Sequence, residues 1–235
     1  MSSAPPIILA VELISALVAA SLFHSTLKPC RESRVQYLLG IPAGFGLMTI
    51  AFAASTLEFF GGGLILDAIF LLIQTYGLLF IALTYARRTR LKLVGESVSI
   101  ELAIPSIVTI LVLGYVLVYE NLSLQATGEL PLSMSLSLRS VMVLSSLYLV
   151  YETGRNWVLT QRASEGFVTI GYGFLVVEQI GFLLQAGQIG DVAVLLGYEG
   201  RIVGLFVLLA ITHLAIKEGD PTTILRRLGL TALAH

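Results

Sequence analysis

The sequence predicts an all-α polytopic membrane protein with seven transmembrane helices, its N-terminus outside and its C-terminus inside. Three observations predict it. Apolar residues make up 56% of the 235-residue chain and charged residues only 12%, with a mean hydropathy of +0.90. A soluble fold of this length could not hide so much apolar surface. Apolar runs of roughly 20 residues, the length that crosses about 30 Å of hydrocarbon, recur seven times. Finally, when those runs are taken as spans, twelve of the fourteen Lys and Arg residues fall on one side. They are Lys28, Arg31, Arg34, Arg87, Arg88, Arg90, Lys92, Arg155, Arg162, Lys217, Arg226 and Arg227. Basic residues are retained on the cytoplasmic face, which sets the orientation in the cell membrane. Arg139 and Arg201 alone depart from the pattern.

The first run, Pro6 to Leu27, is too long for a signal-peptide core, has no basic residue before it and three soon after, so it stays as a membrane helix. The second, Val35 to Thr56, carries Gly40 and Gly44 at GxxxG spacing. Three glycines, Gly61, Gly62 and Gly63, turn the chain into the third, Leu64 to Ala86, which ends at Arg87 and Arg88. The fourth, Val98 to Tyr119, contains Pro105, and a polar loop around Asn121 to Leu132 follows. Ser133 to Tyr151, Glu165 to Ala186 and Val192 to Ile216 form the fifth, sixth and seventh. The fifth is the shortest and needs its polar flank to snorkel. After the last span, Asp220 and Pro221 signal an N-cap and first helical position. Thr222 to Leu233 then reads as a short interfacial helix on the inner leaflet.

The expected domain plan is a bundle over 1–216 with a cytoplasmic tail at 217–235. Sliding the chain on itself by about 127 to 129 residues lays the second and third spans over the sixth and seventh. Gly44-Phe45 then meets Gly173-Phe174, and Gly77-Leu78 meets Gly204-Leu205. Residues 1–90 and 133–216 become two three-helix units, and 98–119 becomes a linker helix that lets both point the same way. This 3+1+3 layout resembles that of heptahelical sugar transporters and, more loosely, of rhodopsin-like proteins. The resemblance is one of layout over the whole chain, carried by no diagnostic motif.

Ionisable residues at membrane depth are costly and therefore single out a candidate site. Counting about 1.5 Å per residue puts Glu178 of the sixth span and Arg201 of the seventh roughly 12 to 13 Å below the outer boundary. By the same count Glu12 of the first and Arg139 of the fifth lie roughly 10 Å down, and Gln74 of the third lies about 15 Å down. Glu199 and Asp67 come above them. One reading is an outward-facing polar cavity, in which Arg201 and Arg139 hold a carboxylate or other anion and Glu178 and Glu12 a cation or proton. The other is an ion-pair network, Glu178 with Arg201 and Glu12 with Arg139, that locks the helices together.

His24 and His213, each near the inner end of its span, form a second constellation whose two imidazoles could hold a b-type haem or orient a quinone, and otherwise no cofactor is expected. A retinal Schiff base is disfavoured because the seventh span has no lysine. Cys30 is the sole cysteine, which excludes an intramolecular disulfide. A net charge of -1 gives no support for nucleic-acid binding. Gly40, Gly44, Gly200 and Gly204 are expected at close helix contacts. The chain has no HExxH, GxSxG or GxGD motif, and no enzymatic activity is expected. The expected function is movement of a small solute or ion across the membrane. Alternatives are a receptor-like bundle acting through a partner and a scaffold or electron-transfer subunit of a membrane complex. Expected partners are the bilayer, the solute, and a second copy or complex subunit.

Overall fold

The computed structural model describes residues 6–32, 36–58, 64–90, 132–187 and 192–217. Six α-helices occupy them: α1 (Pro6–Glu32), α2 (Gly40–Glu58), α3 (Leu64–Arg90), α4 (Leu132–Thr160), α5 (Ala163–Ala186) and α6 (Val192–Lys217). One 3-10 turn, Gln36–Leu39, leads into α2. The expected fourth span at 98–119 and the tail helix lie outside the described residues.

α1, α2, α3, α5 and α6 are each long and apolar enough to cross a membrane. Their apolar residues run all round the helix, as lipid on one side and protein on the other require. The molecule is an α-helical integral membrane protein. α4 is different from expectation. It runs over 29 residues rather than stopping at Tyr151, so its length needs no snorkelling flank. Its interior includes Arg139, Ser140, Ser145, Ser146, Glu152 and Arg155, and it does not reach the apolarity of the other five. α1 also continues past the expected end, through Pro29, to Glu32.

The turn between α4 and α5 is built locally. Gln161 adopts a left-handed φ of 55°, which stops α4 while its N–H still bonds Trp157 O at 2.7 Å. The Thr160 hydroxyl donates to the Glu165 carboxylate at 2.9 Å, tying the end of one helix to the first turn of the next.

Each helix packs on its successor, and α6 packs back on α1. The result is a closed ring in the order α1 to α6, with α3 against α4 and α6 against α1 where the two groups of three meet. Aromatic and aliphatic side chains such as Phe45, Phe52, Leu78, Met142, Leu175 and Leu205 fill the core. Tyr85 of α3 and Tyr172 of α5 meet edge to face at 6.0 Å across it.

Glycines set two close crossings of the same form. A methyl group on Gly44 of α2 would lie 2.5 Å from Gly77 O and equally close to the Ile81 side chain, and one on Gly77 would meet Met48 and Gly44 O. In α5 and α6, a methyl on Gly171 would meet Leu208 and Gly204 O, and one on Gly204 would meet Gly171 O and Leu175. One constant offset along the chain carries the first set onto the second: Gly44 onto Gly171, Met48 onto Leu175, Gly77 onto Gly204 and Ile81 onto Leu208. The glycine answering Gly44 in this geometry is therefore Gly171. Gly173, to which the sequence alignment assigned that role, faces open space. The same offset relates α1 to α4. Thr26 donates to Leu22 O at 2.7 Å and Thr153 to Leu149 O at 2.7 Å. The buried face Ser15, Val18, Ala19, Leu22, Thr26 is matched by Met142, Ser145, Ser146, Leu149, Thr153.

Candidate functional site

All six helices bring polar or aromatic side chains to one level of the ring. Its centre is Arg201 of α6, which is 2% exposed. Arg201 Nε donates to Glu178 Oε1 of α5 at 2.7 Å, and its Nη1 donates to Glu12 Oε1 of α1 at 2.7 Å. Gln74 of α3 donates from Nε2 to the same Glu178 oxygen at 3.0 Å. The guanidinium also lies over three rings, Phe52 of α2 at 4.5 Å, Phe182 of α5 at 5.0 Å and Tyr198 of α6 at 5.3 Å. One cation thus faces two carboxylates within an aromatic wall, where desolvation makes each charged hydrogen bond stronger and its loss more costly.

Backbone proximity creates the pairing. A methyl on Gly200 would lie 2.7 Å from Phe174 O and 2.8 Å from the backbone nitrogen of Glu178. A methyl on Gly181 would lie 2.5 Å from Ala193 O. These glycines let α6 approach α5 closely at this level, so Arg201, the next residue after Gly200, reaches the Glu178 carboxylate. Gly40 serves the other end of α2, where a methyl would collide with the Thr84 hydroxyl.

Glu12, Gln74, Glu178 and Arg201 are therefore brought together, and the Glu178–Arg201 pair is the one expected. Glu12 pairs with Arg201 instead of Arg139. The ring explains this: α1 lies between α2 and α6, whereas Arg139 rides on α4 between α3 and α5. Arg139 stacks over the Phe182 ring at 5.0 Å and makes no ion pair among the described residues. Its Nε is buried without a hydrogen-bond partner. Glu12, Gln74, Glu178 and Arg201 are all buried. Asp67 is half-buried and Glu199 exposed, and both stay outside the cluster.

Several residues at this level carried no warning in the sequence. Gln179 is fully buried, and neither its amide oxygen nor its amide nitrogen has a partner. Glu12 Oε2, Glu178 Oε2 and the hydroxyls of Ser15 and Ser146 are also buried and unbonded. Phe52, Phe182 and Tyr198 looked like ordinary apolar filling. Only the position of Phe182, three residues after Gln179 and four after Glu178, hinted that it borders both. Near the opposite end, Glu152 and Glu165 are buried acids, with Tyr148 donating to Glu152 at 3.2 Å.

His24 and His213 are exposed on the outer sides of α1 and α6, although those helices are neighbours. No group of three or more His, Cys, Asp or Glu among the described residues is placed to hold a metal ion. Compared with known protein families, curated proteins and solved structures, the chain finds no match in any of the three.

Proposed function

We propose that this protein is a seven-span carrier for a small solute or ion, built from two three-helix units that rock about the Arg201 cluster. The observation that carries the reading is the cluster's position. Glu12–Arg201 bridges α1 and α6, and Gln74–Glu178 bridges α3 and α5. Both bonds therefore cross from α1–α3 to α4–α6, so relative motion of the two groups must break and remake them. A carrier needs a bistable contact of this kind between its moving parts. The glycine crossings and threonine bonds, matched at one constant offset along the chain, support two repeated units. A span at 98–119 between them would keep both units parallel. The basic residues at the ends of α1, α3, α4 and α6 support a cytoplasmic C-terminus in the cell membrane.

In this reading the buried, mutually bonded triad is the occluded form. The gate opens when solute or proton competes for Arg201's carboxylates. The test is uptake into proteoliposomes across a panel of small ions and neutral solutes, with Arg201→Gln and Glu178→Gln measured singly. Loss of one solute's uptake in both variants is expected, and unchanged uptake of every solute in both would remove the carrier reading.

A second reading is a receptor-like or scaffold bundle, favoured by the fact that Arg201 is already satisfied by protein groups. Purification from native membranes separates the two, because a partner that copurifies stoichiometrically belongs to the second reading alone.

A further inference from the structure

Among the groups at the level of the cluster, the two arginines differ in one respect that decides their roles. Arg201 pairs with two carboxylates, whereas Arg139 pairs with none among the described residues. The offset that relates the two halves explains the contrast. Glu12 and Arg139 occupy equivalent positions, as do Gln74 and Arg201. At the α6–α1 contact the two positions hold Arg201 and Glu12, which pair. At the corresponding α3–α4 contact they hold Gln74 and Arg139, an amide and a cation. Arg139 therefore lacks the counter-charge that its equivalent contact possesses, and Gln74 is engaged elsewhere, with Glu178.

A second observation points to the same place. Gln179 is fully buried with both amide atoms unbonded, an arrangement that costs free energy unless something else meets the amide. Its direction follows from the helix. The α6 side of α5 is marked by Gly171 and Gly181, and the α4 side by Thr169, which packs under Gly154. Each residue turns about 100° from the last. Going round α5 from α6 toward α4, one meets Glu178, then Phe182, then Gln179. Gln179 thus lies on the α4 side of the ring over which Arg139 is stacked, one helical turn from Phe182.

We propose that Arg139 is the anion-binding group of this protein, and that its ligand is a small planar oxyanion of the carboxylate type, held by the Arg139 guanidinium and the Gln179 amide beside Phe182. A guanidinium presents parallel N–H groups that match two oxygens of such an anion. The amide N–H₂ supplies a further donor, and the aromatic ring keeps the guanidinium plane oriented. The assignment rests on the carrier reading only for its transport consequence, since binding can be read by itself. It also reassigns Arg201, which becomes the clamp between the moving units rather than a solute ligand. With both carboxylates ionised, the triad of Glu12, Arg201 and Glu178 carries one net negative charge, and Arg139, though paired with neither carboxylate, brings the level as a whole to neutrality. An anion entering at Arg139 leaves the level one charge negative, so it should travel with a proton or another cation.

The experiment is calorimetric titration of the full chain in lipid nanodiscs with sodium acetate, sodium nitrate and sodium chloride. Arg139→Gln, Arg139→Lys and Gln179→Leu are titrated alongside wild type. Glu199→Gln, at an exposed position outside the cluster, serves as the control. Acetate and nitrate are expected to bind wild type and the control alike. Arg139→Gln should weaken both by at least about 30-fold, the lower end of the cost of truncating one partner of a buried hydrogen-bonded charge pair. Arg139→Lys should recover part of the loss, and Gln179→Leu should weaken binding less. Folding of each variant is checked by its elution profile and helical circular dichroism. Absence of binding by wild type, or wild-type affinity in folded Arg139→Gln, overturns the assignment. Chloride bound as tightly as acetate overturns the planar-oxyanion class. Arg139-dependent acetate binding without transport by wild type would keep this assignment and remove the carrier reading. Transport of another solute, unaffected by Arg139→Gln, would do the reverse.

Discussion

The two groups of three helices, α1–α3 and α4–α6, pack alike and are charged differently. At one constant offset along the chain, Gly44 against Gly77 is answered by Gly171 against Gly204, and Thr26 over Leu22 by Thr153 over Leu149. At the polar level the correspondence of chemistry ends. Glu12 is answered by Arg139, Gln74 by Arg201, and Ala51 by Glu178. Backbone approach and helix-internal bonds are properties of the scaffold, and they are shared. The charges where the two groups meet are not, so one junction is locked by an ion pair and the other carries an arginine with no ion pair among the described residues. Similar glycine crossings thus frame one polar level with two unlike sides.

The largest break in that comparison should come from Arg201→Leu. It leaves two carboxylates buried without their cation, and truncating one partner of a buried pair costs about 3–5 kcal/mol. Unfolding in mixed micelles should register it as a large loss, while Arg139→Leu, which severs no ion pair among the described residues, should cost much less. Equal losses would erase the distinction drawn between the arginines.

A methyl at the matched glycines should cost about 1–3 kcal/mol by overpacking. Gly44→Ala should be the worse of the two. Its methyl meets Gly77 O at 2.5 Å, whereas that of Gly171→Ala meets chiefly the Leu208 side chain at 2.9 Å, which can swing aside. Thermal unfolding of both variants in one lipid system tests the order, and a reversal would mean that α2 and α3 can part more readily than α5 and α6.

Glu178 accepts from both Arg201 and Gln74, while Glu12 accepts from Arg201 alone. Glu178→Gln is therefore expected to destabilise more than Glu12→Gln, by about one charged hydrogen bond, or roughly 1.5–3 kcal/mol at most. Paired unfolding curves decide it.

The smallest effect is expected at the threonines. Thr26→Val and Thr153→Val each remove a side-chain bond to the helix's own carbonyl, worth about 0.5–1.5 kcal/mol, and the two losses should agree closely. A clear disagreement would show that α1 and α4 do not share one environment.

Some of this was legible from residues alone. The membrane class, the five apolar helices and their approximate ends follow from hydropathy and turn chemistry, because in lipid every backbone group must be bonded within its own helix. The depth of Glu178 and Arg201 follows from helical rise, and depth was enough to bring that pair together. Sequence spacing failed where neighbours matter. It gave Glu12 to Arg139 because both lie at similar depth, and it matched Gly44 with Gly173 because two small residues on adjacent turns look alike in a string of apolar letters. It also stopped α4 at Tyr151, since the polar residues beyond were read as interface.

The sequence by itself determined that helices form, how long most of them are and which ionisable groups lie within them, for those depend on local bonding and on the cost of hydration lost. Only the tertiary structure decided that α1 closes the ring against α6, that Arg201 takes both carboxylates, that Arg139 stacks over Phe182 and that the Gln179 amide is buried unbonded. Which side chains meet depends on the order of helices around the ring and on how closely their glycines let them approach, and neither quantity is written at any single position of the chain.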